Sequence, residues 1–450
     1  MNKPNSNLDS GPSHLSRRVF VKRSALAATG TALAAHFPAI VTAHAAPDSV
    51  VRIGMVGVGG RGTGLLGILL SMKGIQVPAV CDIDTAAATR AQGMIANSGR
   101  PQPELYTRGD EDFQRLMDRA DLAAVIIATP WEWHATMAVC GMKAGKYVGV
   151  EVPAAITIEE CRDLVRTAEL TRKPCMMLEN WSFRRDNLAV LNMIRQGLFG
   201  EIVHCHCAHS HNCVYWYFDA KGNPRWSAEH LARHNADQYP THSLGPVLSW
   251  MNINCGDRFD YLTSTATRSL GLNLQLAEKY GPDYPSARRR YAQGDIITSV
   301  VKTVKGNTIV INNDMQLPRP YDNRWEIQGT RGLYNEQRNA VYIQGVSPAY
   351  EQWEPFGPYQ EKYDHAWWKA LKAESGDAGH GGTDVLELEH FIRAVREATQ
   401  TPVDVYDSVI MSAVIPLSLE SIARGSYPVK CPDFTQGKWQ TRKPAFAVET

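Results

Sequence analysis

The sequence predicts an α/β domain built on a doubly wound parallel sheet, followed by an α+β domain with a mostly antiparallel sheet. Three observations predict it. A β-branched apolar run, Val51–Val56, breaks into a glycine-rich turn, Gly57 to Gly62. Apolar runs then alternate with stretches of helical length as far as residue 180. Past residue 200 the rhythm changes to strands without long helices between them.

The first run reads as a buried parallel strand. In the turn behind it, Gly57 permits the sharp reversal, Gly59 lets backbone approach a pyrophosphate, and Gly62 allows close strand–helix packing. A helix beginning near Arg61 points its first N–H groups at the phosphates. A second strand, Ile75–Cys81, ends at Asp82, twenty residues past Gly62. That spacing suits a carboxylate on an adenosine ribose hydroxyl, which favours NAD over NADP. With no ligand, Asp82 would instead cap the helix Thr85–Ile95. Together these features form a Rossmann-type dinucleotide fingerprint.

A further strand, Leu122–Ala128, leads to Thr129-Pro130 and then Trp131-Glu132-Trp133-His134. Open α/β sheets bind ligands at the carboxyl ends of their strands, which puts Trp131 to His134 beside the nicotinamide and its ribose. The same residues also read as a helix start after proline, with the tryptophans as packing. The helix Ala135–Ala144, the strand Tyr147–Val150 and Glu151-Val152-Pro153 follow. Next come the helix Ile158–Thr171 and the strand Cys175–Leu178, ending at Glu179-Asn180. The predicted domains are residues 46–180 and 181–450, behind a leader of residues 1–45.

In the second domain, strands are expected at Ile202–Cys213, Tyr261–Ala266, Ile297–Val304 and Thr308–Asn313, with Trp325–Gln328 and Ala340–Ile343 adding two more. Two helices, Asp384–Ala398 and Ser408–Ala423, close the chain and pack back on the first domain. On a strand, Cys205, Cys207, His209 and His211 share one side. A flat row of that kind converges poorly on a tetrahedral ion, so a ligand-facing polar strand is expected and no metal site. In Tyr239-Pro240-Thr241-His242, Pro240 fixes the approach to an apolar helix, Val247–Met251. His242 precedes that helix, and its imidazole either faces the cleft, where it could relay a proton, or is structural.

Lys and Arg number 47 against 46 Asp and Glu, without a basic block, which argues against nucleic-acid binding. Nine cysteines, an odd number spread along the chain, do not resemble a disulfide framework. Ser16-Arg17-Arg18-Val19-Phe20-Val21-Lys22, an apolar run from Ala25 to Ala35 and Ala43-His44-Ala45 read as a twin-arginine export signal, with the mature chain starting near Ala46. The run is too short to span a bilayer, and no other segment looks membrane-spanning. A periplasmic or exported location is expected, with the twin-arginine machinery as partner. Free dinucleotide is a cytoplasmic currency, so an exported user must carry it bound and restore it in each turnover.

The chain resembles the Gfo/Idh/MocA superfamily and, within it, glycoside hydrolase family 109, the NAD-dependent α-N-acetylgalactosaminidases. The likeness rests on Val-Gly-Gly-Arg-Gly at 58–62, Trp131 to His134, Glu151-Val152-Pro153, Tyr239 to His242, the stretch 252–261, Arg319-Pro320-Tyr321, His380-Gly381-Gly382, and the ending 432–439. Superfamily dehydrogenases usually carry Glu-Lys-Pro, with the lysine near the hydroxyl that is oxidised. Val152 stands in its place here and cannot move a proton, which fits the glycosidase branch. For NAD the resemblance implies Gly60, Arg61, Asp82, Trp131 to His134, Glu151, Val152 and Asn180. For the sugar it implies Arg225, Tyr239, Pro240, Thr241, His242 and Tyr321. The family usually has tyrosine in a Tyr-x-His-Asp context, where this chain has His209-Ser210-His211-Asn212, and a tyrosine where this chain has Phe183.

The mechanism implied is redox-neutral hydrolysis of a glycoside or glycan terminus. Tightly bound NAD takes a hydride from C3, the C2 proton becomes acidic, the C1 substituent is eliminated, water adds, and the hydride returns. Most glycosidases use two carboxylates instead, and NAD-dependent families are exceptions. His242 is the candidate acceptor of the C3 hydroxyl proton. Tyr321 or Tyr239 handles the C2 proton, with Arg225 placed to lower its pKa. The alternatives are an exported Gfo/Idh/MocA-type sugar oxidoreductase with tightly bound NAD(P), and a nucleotide-retaining sensor without turnover. A homo-oligomer is compatible with the open sheet face that such folds present.

Overall fold

Residues 50–374 and 382–449 are described by the structure, a computed structural model. The leader, its cleavage site, His380 and Gly381 lie outside the described residues. Six strands form the first sheet: β1 (Val51–Val56), β2 (Ile75–Cys81), β3 (Glu104–Tyr106), β4 (Ala124–Ile127), β5 (Tyr147–Val150) and β6 (Cys175–Met177). All pair in parallel, in the order β3-β2-β1-β4-β5-β6. The reversal beside β1 opens a crevice at the carboxyl ends of β1 and β4, where such sheets bind dinucleotides. β4 and β5 are buried on both faces, as a sheet covered by helices requires. The helix Ile158–Thr171 starts with a capping box between Thr157 and Glu160.

The second sheet has nine strands in the order β14-β13-β12-β11-β7-β10-β9-β8-β15. They are β7 (Ile202–Ser210), β8 (Phe259–Ala266), β9 (Ile297–Thr303), β10 (Thr308–Asp314), β11 (Glu326–Gly329), β12 (Gly332–Asn335), β13 (Ala340–Ile343), β14 (Glu354–Pro355) and β15 (Val429–Lys430). Only β7 and β10 pair in parallel. β7 ends at Ser210 rather than residue 213, because Ser210 bridges to Asp322 and the backbone N–H groups of His211 and Cys213 turn to Asp314 and Met315. Helices that the strand pattern did not suggest interrupt the second domain, at Trp226–Arg233 and Gly271–Tyr280.

The described residues fall in one compact unit. Of the two closing helices, Thr383–Glu397 packs on the first domain and Val405–Ala423 joins the two sheets. Ser408 Oγ accepts the N–H of Met177 at 3.0 Å, and Ser412 Oγ that of Ala154 at 3.1 Å. Ser421 Oγ accepts the N–H of Ser264, on β8, at 2.8 Å. The helix Val405–Ala423 is long and apolar enough to cross a membrane, yet most of it is buried between these elements.

Candidate active site

The glycine turn takes the shape its residues dictate. Gly57 has φ +81°, and a Cβ on Gly62 would stand 2.0 Å from the Gly57 carbonyl oxygen. Gly59 and Gly60 face open space, with nothing within 4 Å of an added Cβ. Gly59 caps the helix Gly60–Ser71 without a side-chain bond, so the first-turn N–H groups are left for an anion. Asp82 lies beside this turn and accepts the Val58 N–H at 2.8 Å. It is not the cap of the next helix: Asp84 is, accepting the Ala86 N–H. The open turn, the uncapped helix end and the adjacent carboxylate fit a dinucleotide.

Arg61 ties this turn to both halves of the molecule. Its Nε donates to Glu151 at 2.6 Å, and its guanidinium nitrogens donate to Asp384 at 2.7 and 3.1 Å. Asn180 Nδ2 also donates to Asp384, at 2.7 Å. Burial opposes the Arg61 charge, but Glu151 and Asp384 outweigh it and hold the guanidinium protonated. Val152, 4% exposed, follows Glu151, whose second oxygen accepts the Val152 N–H.

Trp131 to His134 divide. The Trp131 ring lies 5.9 Å from Tyr239, 5.7 Å from Trp216 and 5.4 Å from Trp226. Glu132 reaches His230 at 3.3 Å. Trp133 packs edge-on to Phe113. His134 is buried, with its ring nitrogens on the carbonyls of Pro153 and Thr129 at 2.7 and 2.8 Å. Burial pushes its pKa down, while the two carbonyls favour the charged ring. His134 thus ties the segments of Thr129 and Pro153 together, and Trp133 packs on Phe113.

Around the crevice four rings converge. His209 lies 5.0 Å from Tyr239, 5.1 Å from His242 and 5.6 Å from Tyr321, measured between ring centres. His242 is the second residue of the helix Thr241–Trp250, not a residue ahead of it. Its Nδ1 is 2.6 Å from Glu179 Oε1, and its Nε2 is 3.5 Å from the Tyr239 hydroxyl. Pro240 and Thr241 are buried, which leaves Tyr239 and His242 as the side chains of that segment facing the site. Cys205 and Cys207 point into the core. Among the described residues no group of three or more His, Cys, Asp or Glu is arranged to hold a metal.

The expected effect of Arg225 on the tyrosines is overturned. Arg225 is exposed, preceding the helix Trp226–Arg233. Burial pushes the hydroxyl pKa of Tyr239 well up, with Arg61 pulling down, and it pushes Tyr321 up against Arg184. Tyr321 is 44% exposed, so water weakens the push on it relative to Tyr239. Arg184, stacked 5.3 Å over Trp181, is the cation facing Tyr321. The sequence reading missed Glu179, Arg184, Trp216 and Asp384. Glu179 stood beside Asn180 at a strand end, the one local signal available; the others declare themselves only through long-range contacts.

Two family models divide the chain. Residues 51–179 match the oxidoreductase-family NAD-binding Rossmann fold, and residues 183–441 match the C-terminal domain of glycosyl hydrolase 109. The chain belongs to glycosyl hydrolase family 109. It is a glycoside hydrolase with an NAD-binding domain. An α-N-acetylgalactosaminidase of Tannerella forsythia is 41% identical over 420 residues, 89% of this chain and 90% of that one. A family 109 protein of Shewanella sp. (strain MR-4) is 41% identical over 447 residues, 95% of this chain and 98% of that one. Among solved structures, levoglucosan dehydrogenase in complex with NADH and L-sorbose superposes with a TM-score of 0.65 at 18% identity, covering 86% of this chain and all of that one. An NAD-binding oxidoreductase from Klebsiella pneumoniae gives 0.68 at 18% identity, covering 86% of this chain and all of that one. These two establish the fold of this glycosidase.

Proposed function

We propose that this glycosidase removes terminal α-N-acetylgalactosamine through a redox-neutral cycle, with NAD held throughout and export by the twin-arginine route. One observation carries the reading: Arg61 of the open glycine turn lies close enough to Tyr239 to act on its hydroxyl, the rings of Tyr239, His242 and Tyr321 meet around His209, and buried Val152 supplies no proton-moving group. The substrate follows the Tannerella forsythia relative's name. The leader at Ser16–Lys22 supports export, and a cycle that needs no recharging partner suits an exported chain.

Bound NAD supplies reversible hydride acceptance from sugar C3, which makes C3 a ketone and the C2 proton removable. Gly59, Gly60 and the helix end behind them would hold the pyrophosphate, Asp82 the adenosine ribose, and Glu151 and Asn180 the nicotinamide half. His242 takes the C3 hydroxyl proton at Nε2, keeps it during elimination and hydration, and returns it at the end. Tyr321 is better placed than Tyr239 for the C2 proton, being more open and facing Arg184. Both hydroxyls rest protonated, so Tyr321 hands its own proton to the departing C1 oxygen as it takes the one from C2, and the addition of water runs the same exchange in reverse. Trp131, Trp216 and Tyr239 wall the crevice against water.

A panel of p-nitrophenyl α- and β-glycosides, with and without 2-acetamido groups, tests the substrate. The α-N-acetylgalactosaminide is expected to be cleaved, with label at C2 washing into solvent. Cleavage without washout rejects the mechanism, and net reduced product points to an oxidoreductase. Purified protein with no pyridine nucleotide rejects the held cofactor.

A further inference from the structure

Glu179 is buried at 0% exposure, yet it is hydrogen-bonded on every side. Oε1 accepts the Trp181 N–H at 3.2 Å and faces His242 Nδ1 at 2.6 Å. Oε2 accepts the Ser182 N–H at 2.9 Å and the Ser182 hydroxyl at 2.7 Å. Trp181 and Ser182 belong to the 3-10 turn Asn180–Phe183 that follows β6, so the carboxylate is held by its own backbone. Across from it, Gly245 sits one turn along from His242 on the helix Thr241–Trp250. A Cβ on Gly245 would stand 1.8 Å from Glu179 Oε2 and 2.8 Å from Ser182 Oγ. The carboxylate therefore occupies the space that any larger side chain there would need.

We infer that Glu179 is a positioning residue, which fixes His242 with its proton on Nδ1 and its bare Nε2 turned to the substrate, and that Gly245 is the small residue which admits it. A carboxylate only accepts, so the short contact requires Nδ1 to carry the proton. Nε2 is then free to accept from a sugar hydroxyl, and the imidazolium formed lies against a fixed negative charge. The inference rests on the proposed role of His242.

Glu179→Gln preserves shape but not polarity. With Ser182 donating twice to one oxygen, the amide nitrogen faces His242 and forces its proton onto Nε2, the logic of the serine-protease triad Asp→Asn variant. The wild-type protein, assayed first with p-nitrophenyl α-N-acetylgalactosaminide and for substrate-dependent nucleotide absorbance near 340 nm, tests the underlying reading. In Glu179→Gln, kcat is expected to fall about a hundredfold or more, with KM and NAD affinity within about threefold. Imidazole nitrogen NMR is expected to show the His242 proton moving from Nδ1 to Nε2. The double variant with His242→Ala is expected to be no slower than His242→Ala alone. Gly245→Ala, which displaces the carboxylate, is expected to repeat the kcat loss. Wild-type-like kcat in Glu179→Gln, an unmoved imidazole proton, or losses that multiply in the double variant would overturn the assignment, whatever the substrate proves to be.

Discussion

His209 and His211 share a single hydrogen bond, Nε2 to Nε2, at 3.1 Å. Such a bond needs one bare and one protonated nitrogen, so the pair holds together only while at least one ring is neutral. Burial pushes the His209 pKa well down and the His211 pKa down to about 4, with His242 adding to both.

The sign of the pH dependence follows. The unfolded chain takes up a proton at each of these histidines below about pH 6.5, while the fold resists it. The contribution of His211 is present above that pH and is lost as pH falls towards about 4, and that of His209 is lost in the same direction. The drop in Tm between pH 7 and pH 4.5 is expected to be smaller in His211→Asn than in the parent, as read by thermal melts at both pH values.

Asp237 behaves in the opposite sense. Burial raises its pKa to about 7 although Asn313 pulls it down. The stability associated with its protonated form is present below about pH 4 and is lost as pH rises through about 7. Asp237→Asn keeps the neutral shape, so its Tm is expected to gain on the parent at pH 8 relative to pH 5. An unchanged difference between the two pH values would count against a protonated Asp237.

Removing the Arg61 guanidinium takes from buried Glu151 and Asp384 a cation that both of them bind. Arg61→Ala is expected to cost about 3 kcal/mol of stability and to weaken NAD binding. Arg61→Lys, with one point charge in place of a fork, is expected to fall between. Denaturant titration and NAD fluorescence titration read the two effects separately.

The tyrosines are separable by step. Tyr321→Phe is expected to slow washout of a C2 label by roughly a hundredfold while substrate still changes the nucleotide absorbance. Tyr239→Phe removes a hydroxyl only 3.5 Å from His242 Nε2 and is expected to cost less than about tenfold. Equal effects of the two variants on both readouts would refute the division.

Much of the first sheet was legible because its strands are short, buried apolar runs between glycine-rich turns. Val51–Val56, Ile75–Cys81 and Tyr147–Val150 fall where their residues placed them. The helix Ile158–Thr171 did so as well, with a clear amphipathic period. The helix Gly271–Tyr280 escaped because its sequence carries little polar–apolar contrast and borders a loop rich in turn residues. At the site, His242 was visible beside Pro240, but Glu179 was not connected to it, since 63 residues separate the partners. Arg225 stood near Tyr239 in sequence, yet Arg184 is the cation near Tyr321, because packing of Trp181 under its guanidinium decides the matter. Periodicity reports which face is buried; it carries no information on which buried polar groups meet.

The Arg61–Asp384 contact joins residues 323 apart along the chain. During synthesis the nucleotide turn emerges early, but its second carboxylate leaves the ribosome only when most of the polypeptide has been made. A nascent first half therefore presents the glycine loop with its arginine half-anchored. A fragment stopping at the sixth strand would lack Asp384 and hold Arg61 through Glu151 without its second carboxylate.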